Sequence, residues 1–427
     1  MIEILNILFI ILISLILYSN YFTRILLIKT FNNNIITSIE YFSINILIFC
    51  LICLFLSFLN IDYELIIFST VIISALSILF NFKKFNFNSF RENNYLFTFI
   101  IFSLIIALDL IVNPKLEWDG HSWYFHALNF YENFNNSNLT NTSYSHYPHL
   151  GGFMWSVYWK FSLLPNEVFG RIFYIIIYVT GILTVSQNFS NNHLFNFIVG
   201  IFLTFLTYDK FLLGGYQEYF MFSVILIIMN MLNKFHLKNI NYIQISFFIT
   251  CAYLLVWIKN EGLLFFLFIL YYLSLSKSIN KKIYIFCLSL LLISIKFFMT
   301  LEITENNIFD LSNINFLFNE NFFYKLFFIL KHFIIATFKY PIWLIFFLIL
   351  LICKITKKDL YIISFIIYSI FLIIFIFLFT GPSDNIEWYV TGALDRILFQ
   401  LSGFIILFVV IKLRELWKPS GQKNNIN

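Results

Sequence analysis

Apolar residues run through this chain in continuous blocks, not in alternation, and short polar breaks separate the blocks. A helix needs about 20 apolar residues to cross roughly 30 Å of bilayer hydrocarbon. In lipid only helices or a closed barrel satisfy every backbone polar group, and runs without a period of two select helices. The pattern predicts about thirteen membrane helices, over 3–19, 38–59, 64–82, 95–112, 168–186, 194–208, 218–233, 242–258, 263–276, 283–299, 339–353, 360–379 and 397–413. Two of these runs, 194–208 and 263–276, are short enough to be tilted or re-entrant. The fold class expected is an all-α, polytopic integral membrane protein, with an N-terminal helix group over 1–94, a main module over 95–413 and a tail over 414–427.

The longest polar interval, 114–167, carries structure of its own. Gly120–Phe134 places Trp123, Ala127, Phe130 and Tyr131 at helical spacing, and Pro148–Leu163 repeats the pattern with Phe153, Val157 and Phe161. Between them lies the polar stretch NNSNLTNTSYS. Two amphipathic helices on the membrane surface fit this interval better than a soluble domain, which needs a larger core. A second long break, 300–338, begins acidic and ends in a Phe-rich run, Phe322–Phe338, with Lys325, Lys331 and His332 among the aromatics, and reads as interfacial.

Composition sharpens the membrane reading. Charged residues make up 11% of the chain, against about 25% in soluble domains, so most of it does not face water. The 59 Phe and 13 Gly point to compositional drift. The N-x-[ST] sequons at Asn135, Asn138 and Asn141 therefore carry little weight. Cys50, Cys53, Cys251, Cys287 and Cys353 all lie in or at the ends of apolar runs and read as packing residues, the C-x-x-C at 50–53 included. Ile4–Tyr18 lacks a basic flank and a cleavage site, so it reads as a retained helix. Net charge, +5, averages over two membrane faces, and no nucleic-acid patch stands out. Taken loop by loop, the charges sort cleanly. Arg24, Lys29, Lys83, Lys84, Arg91, Lys234, Lys238, Lys277, Lys281, Lys282, Lys354, Lys357 and Lys358 fall in one alternate set of breaks, as does the tail. Most acids fall in the other, including Glu117, Asp119, Glu218 and Asp395. By the positive-inside rule the first set is cytoplasmic and the 114–167 interval is external.

Candidate chemistry gathers on the external side. Lys115–Tyr131, KLEWDGHSWYFHALNFY, packs Glu117, Asp119, His121, His126, Trp118 and Trp123 into ten residues. A carboxylate held among interfacial aromatics can take a proton from a hydroxyl nucleophile, and a solvated headgroup-level acid has the same composition, so both readings stand for Asp119. Asp109, one turn inside the preceding run, faces protein or a wet cavity or else reaches the headgroups. Glu218, in GGYQEYF, either offsets a helix dipole or serves the site. Lys259, Asn260 and Glu261, in VWIKNEG, put a Lys and a Glu at membrane depth, where such groups are paired or functional. Asp395 and Arg396 are expected to open the last helix, as a pair or with the Arg on a phosphate. His121, His126, His146 and His149 lack ligand spacing, so no metal is expected. His146 and Tyr147, before Pro148, are placed in a substrate cleft. No Walker A or G-x-S-x-G pattern occurs.

Read in order, EWDGHSWYFHALNFYEN, HYPHLGGFMW, GGYQEYFMF, WIKNEGLLFF and LDRILFQL resemble the membrane glycosyltransferases of the C-type fold. That class holds the protein O-mannosyltransferases and the bacterial aminoarabinose transferases, and the likeness is greatest to bacterial family 39-like multispanning proteins. It covers roughly 95–413. The resemblance implies a polyprenyl-phosphate sugar as donor, a glycan or lipid hydroxyl as acceptor, inverting transfer without metal or cofactor, and a bacterial cytoplasmic membrane with the site facing outward. It makes Asp119 the base. Glu117, His121, Trp123, His146, Tyr147, Tyr216, Glu218 and Glu261 would line the substrate, and Lys259 and Arg396 would hold the donor phosphate. The mannosyltransferases follow their first-loop Asp with Glu, whereas Gly120 stands here, so Glu117 with Asp119 is the alternative acid pair. Three extra helices precede the family's first, and no large C-terminal soluble domain is expected. An O-antigen ligase or polymerase, which would lean on external Arg residues, and a transporter or lipid flippase, which would carry mid-helix charges and broken helices, are the competing functions.

Overall fold

A computed structural model describes residues 2–20, 38–59, 64–80, 94–133, 147–190, 192–234, 240–275, 277–300, 322–380 and 386–417. Among the described residues the protein is all-helical, with sixteen α-helices and no strand. In chain order they are α1 (Ile2–Tyr18), α2 (Ser38–Leu56), α3 (Glu64–Phe80), α4 (Asn94–Val112), α5 (Trp118–Asn133), α6 (Leu150–Phe161), α7 (Ile172–Ser186), α8 (His193–Thr207), α9 (Glu218–Lys234), α10 (Tyr242–Ile258), α11 (Gly262–Ser274), α12 (Ile279–Thr300), α13 (Phe322–Lys339), α14 (Ile342–Ile352), α15 (Lys357–Thr380) and α16 (Ile386–Trp417). Short 3-10 turns precede α7 (Glu167–Arg171) and α9 (Lys210–Leu213).

Each of the thirteen apolar runs contains a helix. Five stretches are long and apolar enough to cross a membrane: Ile39–Leu56, Glu167–Ser186, Ile279–Met299, Asp359–Leu378 and Val390–Trp417. A bent pair, α13 with α14, makes a sixth if it counts as one span, and six further apolar helices are shorter.

The chain divides into two compact units. Met1–Gly200 with Asp209–Ile303 forms the first, so the N-terminal helices share a unit with the chain up to 303. Its centre is α7, buried along its whole length and packed by α9, α4 and α2. Every face of IFYIIIYVTGILTVS is apolar or small, which is what a helix with no solvent face requires. The hydroxyls of Thr180 and Thr184 bond back to the carbonyls of Ile176 and Thr180, both at 2.7 Å, so they meet no unsatisfied apolar setting. At one end of this bundle Glu40 (α2) bonds Lys234 and Asn230 (α9), and Asn230 bonds Asn188, just past α7. The opposite end carries the start of α9 and the end of α10. A capping box starts α10: Asn241 accepts from the Gln244 amide at 2.8 Å and the Gln244 side chain accepts from the Asn241 amide at 2.9 Å.

The 114–167 interval folds as the two helices its periodicity predicts, with one correction. In α5 a face of Trp123, His126, Ala127 and Phe130 is buried while Trp118 and Phe125 are exposed. By contrast α6 does not lie on a surface, because every residue except Lys160 is buried. Its sequence, LGGFMWSVYWKF, carries aromatics all the way round, and they pack against α5 and the 3-10 turn that follows. Asp119, expected in a loop, stands in the first turn of α5.

In the second unit, Ile201–Tyr208 with Thr304–Asn427, α14 and α13 both pack on α16. The two meet at a 93° bend, where Pro341 has no amide to continue α13. The expected 397–413 helix starts earlier, at Ile386, and continues to Trp417. Asp395 and Arg396 therefore lie within α16, not at its start. Apolar residues upstream of the charges extend the helix, and a Lys on α13 takes up the Asp.

Candidate functional site

Two backbone turns of the first unit are locked together and set the candidate site. The Glu117 amide donates to the Gly214 carbonyl at 2.9 Å. Just beyond, Gly120 lies so close to this turn that a Cβ there would fall 2.0 Å from the Gly214 oxygen. Gly215 adopts φ +95°, a left-handed conformation open to glycine at little cost. Here the GG of GGYQEYF is a seat for the first turn of α5, and Glu218 follows three residues later.

Arg171 clamps the same turns from inside. Its guanidinium, fully buried, donates to the carbonyls of Pro114 (2.6 Å), Lys115 (3.2 Å) and Leu213 (3.0 Å) and to Glu167 Oε1 (3.0 Å). The Trp155 indole donates to the Glu167 carbonyl at 2.9 Å and fixes the clamp to α6. A planar fork of five donors suits this task in a way that an ammonium does not. In the sequence Arg171 falls inside the 168–186 apolar run, and no motif singles it out. The signal was present: a cation at the acidic end of an apolar run, the same anomaly that singled out Arg396.

The charged cluster lies at the start of α9. Glu218, fully buried in its first turn, accepts from Lys259 Nζ at 2.9 Å, and Lys259 also reaches Glu261 at 3.4 Å. Lys259 caps the end of α10, and Glu261 precedes α11. Two carboxylates thus share one ammonium, a balance of one negative charge. Lys259 is thus paired with both acids.

Aromatic rings pack on one another in the same unit. Trp123 faces Tyr147 at 5.2 Å and His126 at 5.9 Å between centroids. Tyr216 is buried and packs on Phe211 at 5.2 Å. The His149 ring sits 5.2 Å from Trp257, two residues before Lys259, and its Nε2 is 2.7 Å from the Ser57 hydroxyl. Burial first, then the Lys296 charge and then His126, holds His149 well below the ordinary histidine range, so it stays neutral near pH 7.

The remaining expected residues are placed as follows. Glu117 pairs with Lys115 at 3.3 Å, and His121 is exposed. Asp109 accepts from the Asn113 side chain at 3.1 Å at the end of α4, a local arrangement. His146 and the three sequons lie outside the described residues. Arg396, in the second unit, donates from Nε to the Gly392 carbonyl at 2.8 Å, while Asp395 pairs with Lys339 at 3.0 Å, so the adjacent Arg–Asp pair does not form. Among the described residues no three His, Cys, Asp or Glu side chains converge as metal ligands. Comparison with protein-family models, with curated proteins and with solved structures finds no match.

Proposed function

We propose that the protein is a multi-pass membrane glycosyltransferase of about thirteen spans. It would transfer a sugar from a polyprenyl-phosphate donor to a hydroxyl on a glycan or lipid acceptor. The observation that carries the reading is the seating of the Asp119-bearing turn on Gly214–Gly215, next in sequence to the buried Glu218–Lys259–Glu261 cluster. Stretches far apart in the chain, each singled out for its chemistry, meet in one unit. The charge bias of the breaks directs this end of the bundle outward from a bacterial cytoplasmic membrane, with the Glu40–Lys234 end inward.

In this reading Asp119, in the first turn of α5, accepts the proton of the acceptor hydroxyl. The hydroxyl oxygen attacks the anomeric carbon as the bond from that carbon to the phosphate oxygen breaks. The prenyl phosphate leaves with the electron pair, and a single displacement inverts the centre. Tyr147, half-exposed, supplies a ring for the sugar, the buried Trp123 packs behind it and Tyr216 reaches the sugar only if its cover moves, while Glu261, half-exposed at the cluster's edge, reaches the sugar hydroxyls. Glu117 and His121 complete the substrate wall, and a role for His146 rests on the sequence alone. Lys259 stabilises the buried Glu218. A donor-phosphate role for Arg396 rests on the sequence alone.

The test compares lipid-linked sugars and surface glycans by mass spectrometry in a strain deleted for the gene and complemented with wild type or Asp119→Asn. Transfer is expected to fall by roughly 10²–10⁴-fold, with the prenyl-phosphate sugar accumulating. Full transfer by Asp119→Asn would remove the base assignment. The flippase reading gains one observation, the 93° break between α13 and α14, since broken helices mark transport sites. It predicts that transfer survives in broken membranes, where both faces are open.

A further inference from the structure

A donor-rich corner lies beside the candidate site, and the proposed reaction does not use it. Its cation is Lys296, near the end of α12. That helix is turned to the outside of its unit: 11% of its span is buried, and Phe286, Leu290, Leu291, Phe297 and Phe298 are exposed. A lysine near the end of a lipid-facing helix ordinarily extends outward to the headgroups. Lys296 turns inward instead, with Nζ 3.7 Å from the centroid of the Trp257 ring. That ring is 2% exposed. Its indole N–H and the hydroxyl of Tyr253, whose ring is 6.2 Å away, are both buried and face each other, without a hydrogen bond of good geometry to either. Indole nitrogen is a donor only, so where it turns to the Tyr253 oxygen the tyrosine keeps its own O–H to give. His149 flanks the same tryptophan at 5.2 Å.

An ammonium, an indole N–H and a hydroxyl brought together at the lipid boundary make a site for an oxyanion, because charge-assisted bonds to these donors offset the cost of taking the anion from water. We propose that Lys296, Trp257 and Tyr253, with His149 beside them, bind the phosphate of a lipid, whose apolar chain lies along the exposed Phe and Leu face of α12. Lys259, two residues beyond Trp257, is paired with Glu218 and Glu261. The identity of the lipid as a prenyl phosphate rests on the glycosyltransferase reading; the anion site does not.

Binding to the full chain in detergent is measured by native mass spectrometry with four probes: a long-chain prenyl phosphate, the matching prenol, phosphatidylglycerol and inorganic phosphate. Wild type is expected to prefer the prenyl phosphate over the prenol. Lys296→Gln is expected to lose roughly tenfold or more of the prenyl-phosphate affinity and none of the prenol affinity. Lys296→Arg retains binding, and Lys282→Gln, at the other end of α12, leaves it unchanged. Unaltered binding by Lys296→Gln, or equal binding of prenol and prenyl phosphate, overturns the site. Lys296-dependent binding of phosphatidylglycerol at equal strength keeps the site and assigns it to a glycerophospholipid. Occupancy by inorganic phosphate alone, with the same dependence, overturns the lipid part. Asp119→Asn separates the two readings. If it transfers normally while Lys296→Gln loses binding, the base falls and the anion site stands. If it abolishes transfer while Lys296→Gln binds as wild type, the reverse holds.

Discussion

Two ion pairs of almost equal length sit in opposite settings. Lys259 reaches Glu218 at 2.9 Å, and those side chains are 10% and 0% exposed. Lys339 reaches Asp395 at 3.0 Å, and there the side chains are 39% and 29% exposed. Distance alone would rate them the same. Taking two charges out of water costs several kcal/mol per ion, offset only while both partners are present. A half-exposed pair gains little and loses little, because water and salt screen either partner left alone. What differs is the consequence of removing one side: a stranded buried charge in the first unit, a solvated one in the second.

The largest effect is therefore expected at Lys259. Lys259→Met leaves Glu218 buried without its ammonium and should cost about 3–5 kcal/mol, seen as a lower melting temperature in detergent micelles. Lys259→Met combined with Glu218→Leu should recover much of that loss, since no charge is then stranded. A single variant that melts like wild type would mean that water reaches Glu218, and the contrast between the pairs would collapse.

Lys259, Glu218 and Asp395 stand out in the sequence; Lys339 does not, and neither pairing is visible there. Lys259 and Glu261 share one break, so their contact follows from proximity. Glu218 is 41 positions from Lys259, and only the packing of α9 on α10 unites them. The same limit applies to Asp395: adjacency suggested Arg396, but successive helical residues point about 100° apart, and Lys339 from α13 takes the contact. Helix positions were legible because apolar run length is a local property. The burial of α6 was not, because WSVYWKF has the composition of an interfacial helix, and what covers its outer face comes from α5 and the 3-10 turn. Arg171 was hidden for a related reason. Its partners are backbone carbonyls of Pro114, Lys115 and Leu213, which leave no trace in side-chain identity.

An intermediate effect is expected where a neutral group in the buried setting can be made to charge. His149 is held well below the usual histidine range by burial, then by Lys296 and His126. In the unfolded chain it protonates near pH 6.5, while the folded chain resists. Below about pH 6.5 the unfolded state binds more protons, so stability falls with pH until the folded-state value is reached, by up to about 1.4 kcal/mol per pH unit from this group. Above pH 7 it contributes no slope. Melting curves from pH 7.5 down to 5 should show this decline, and His149→Gln should flatten it. An unchanged slope in the variant would assign the acid sensitivity to other groups.

The smallest effect is expected at Asp395. Asp395→Asn removes a half-exposed partner from Lys339, which can turn to water, so the loss should stay below about 1 kcal/mol and shrink further at high salt. The readout is the melting temperature at low and high ionic strength, taken beside transfer activity. A stability loss as large as that of Lys259→Met would erase the distinction between the two settings. A fall in activity of roughly tenfold or more at unchanged melting temperature would place about 1.4 kcal/mol of transition-state stabilisation on this carboxylate. Asp395 would then belong to the reaction, because a solvated structural pair has no route to a rate effect of that size without a stability effect to match.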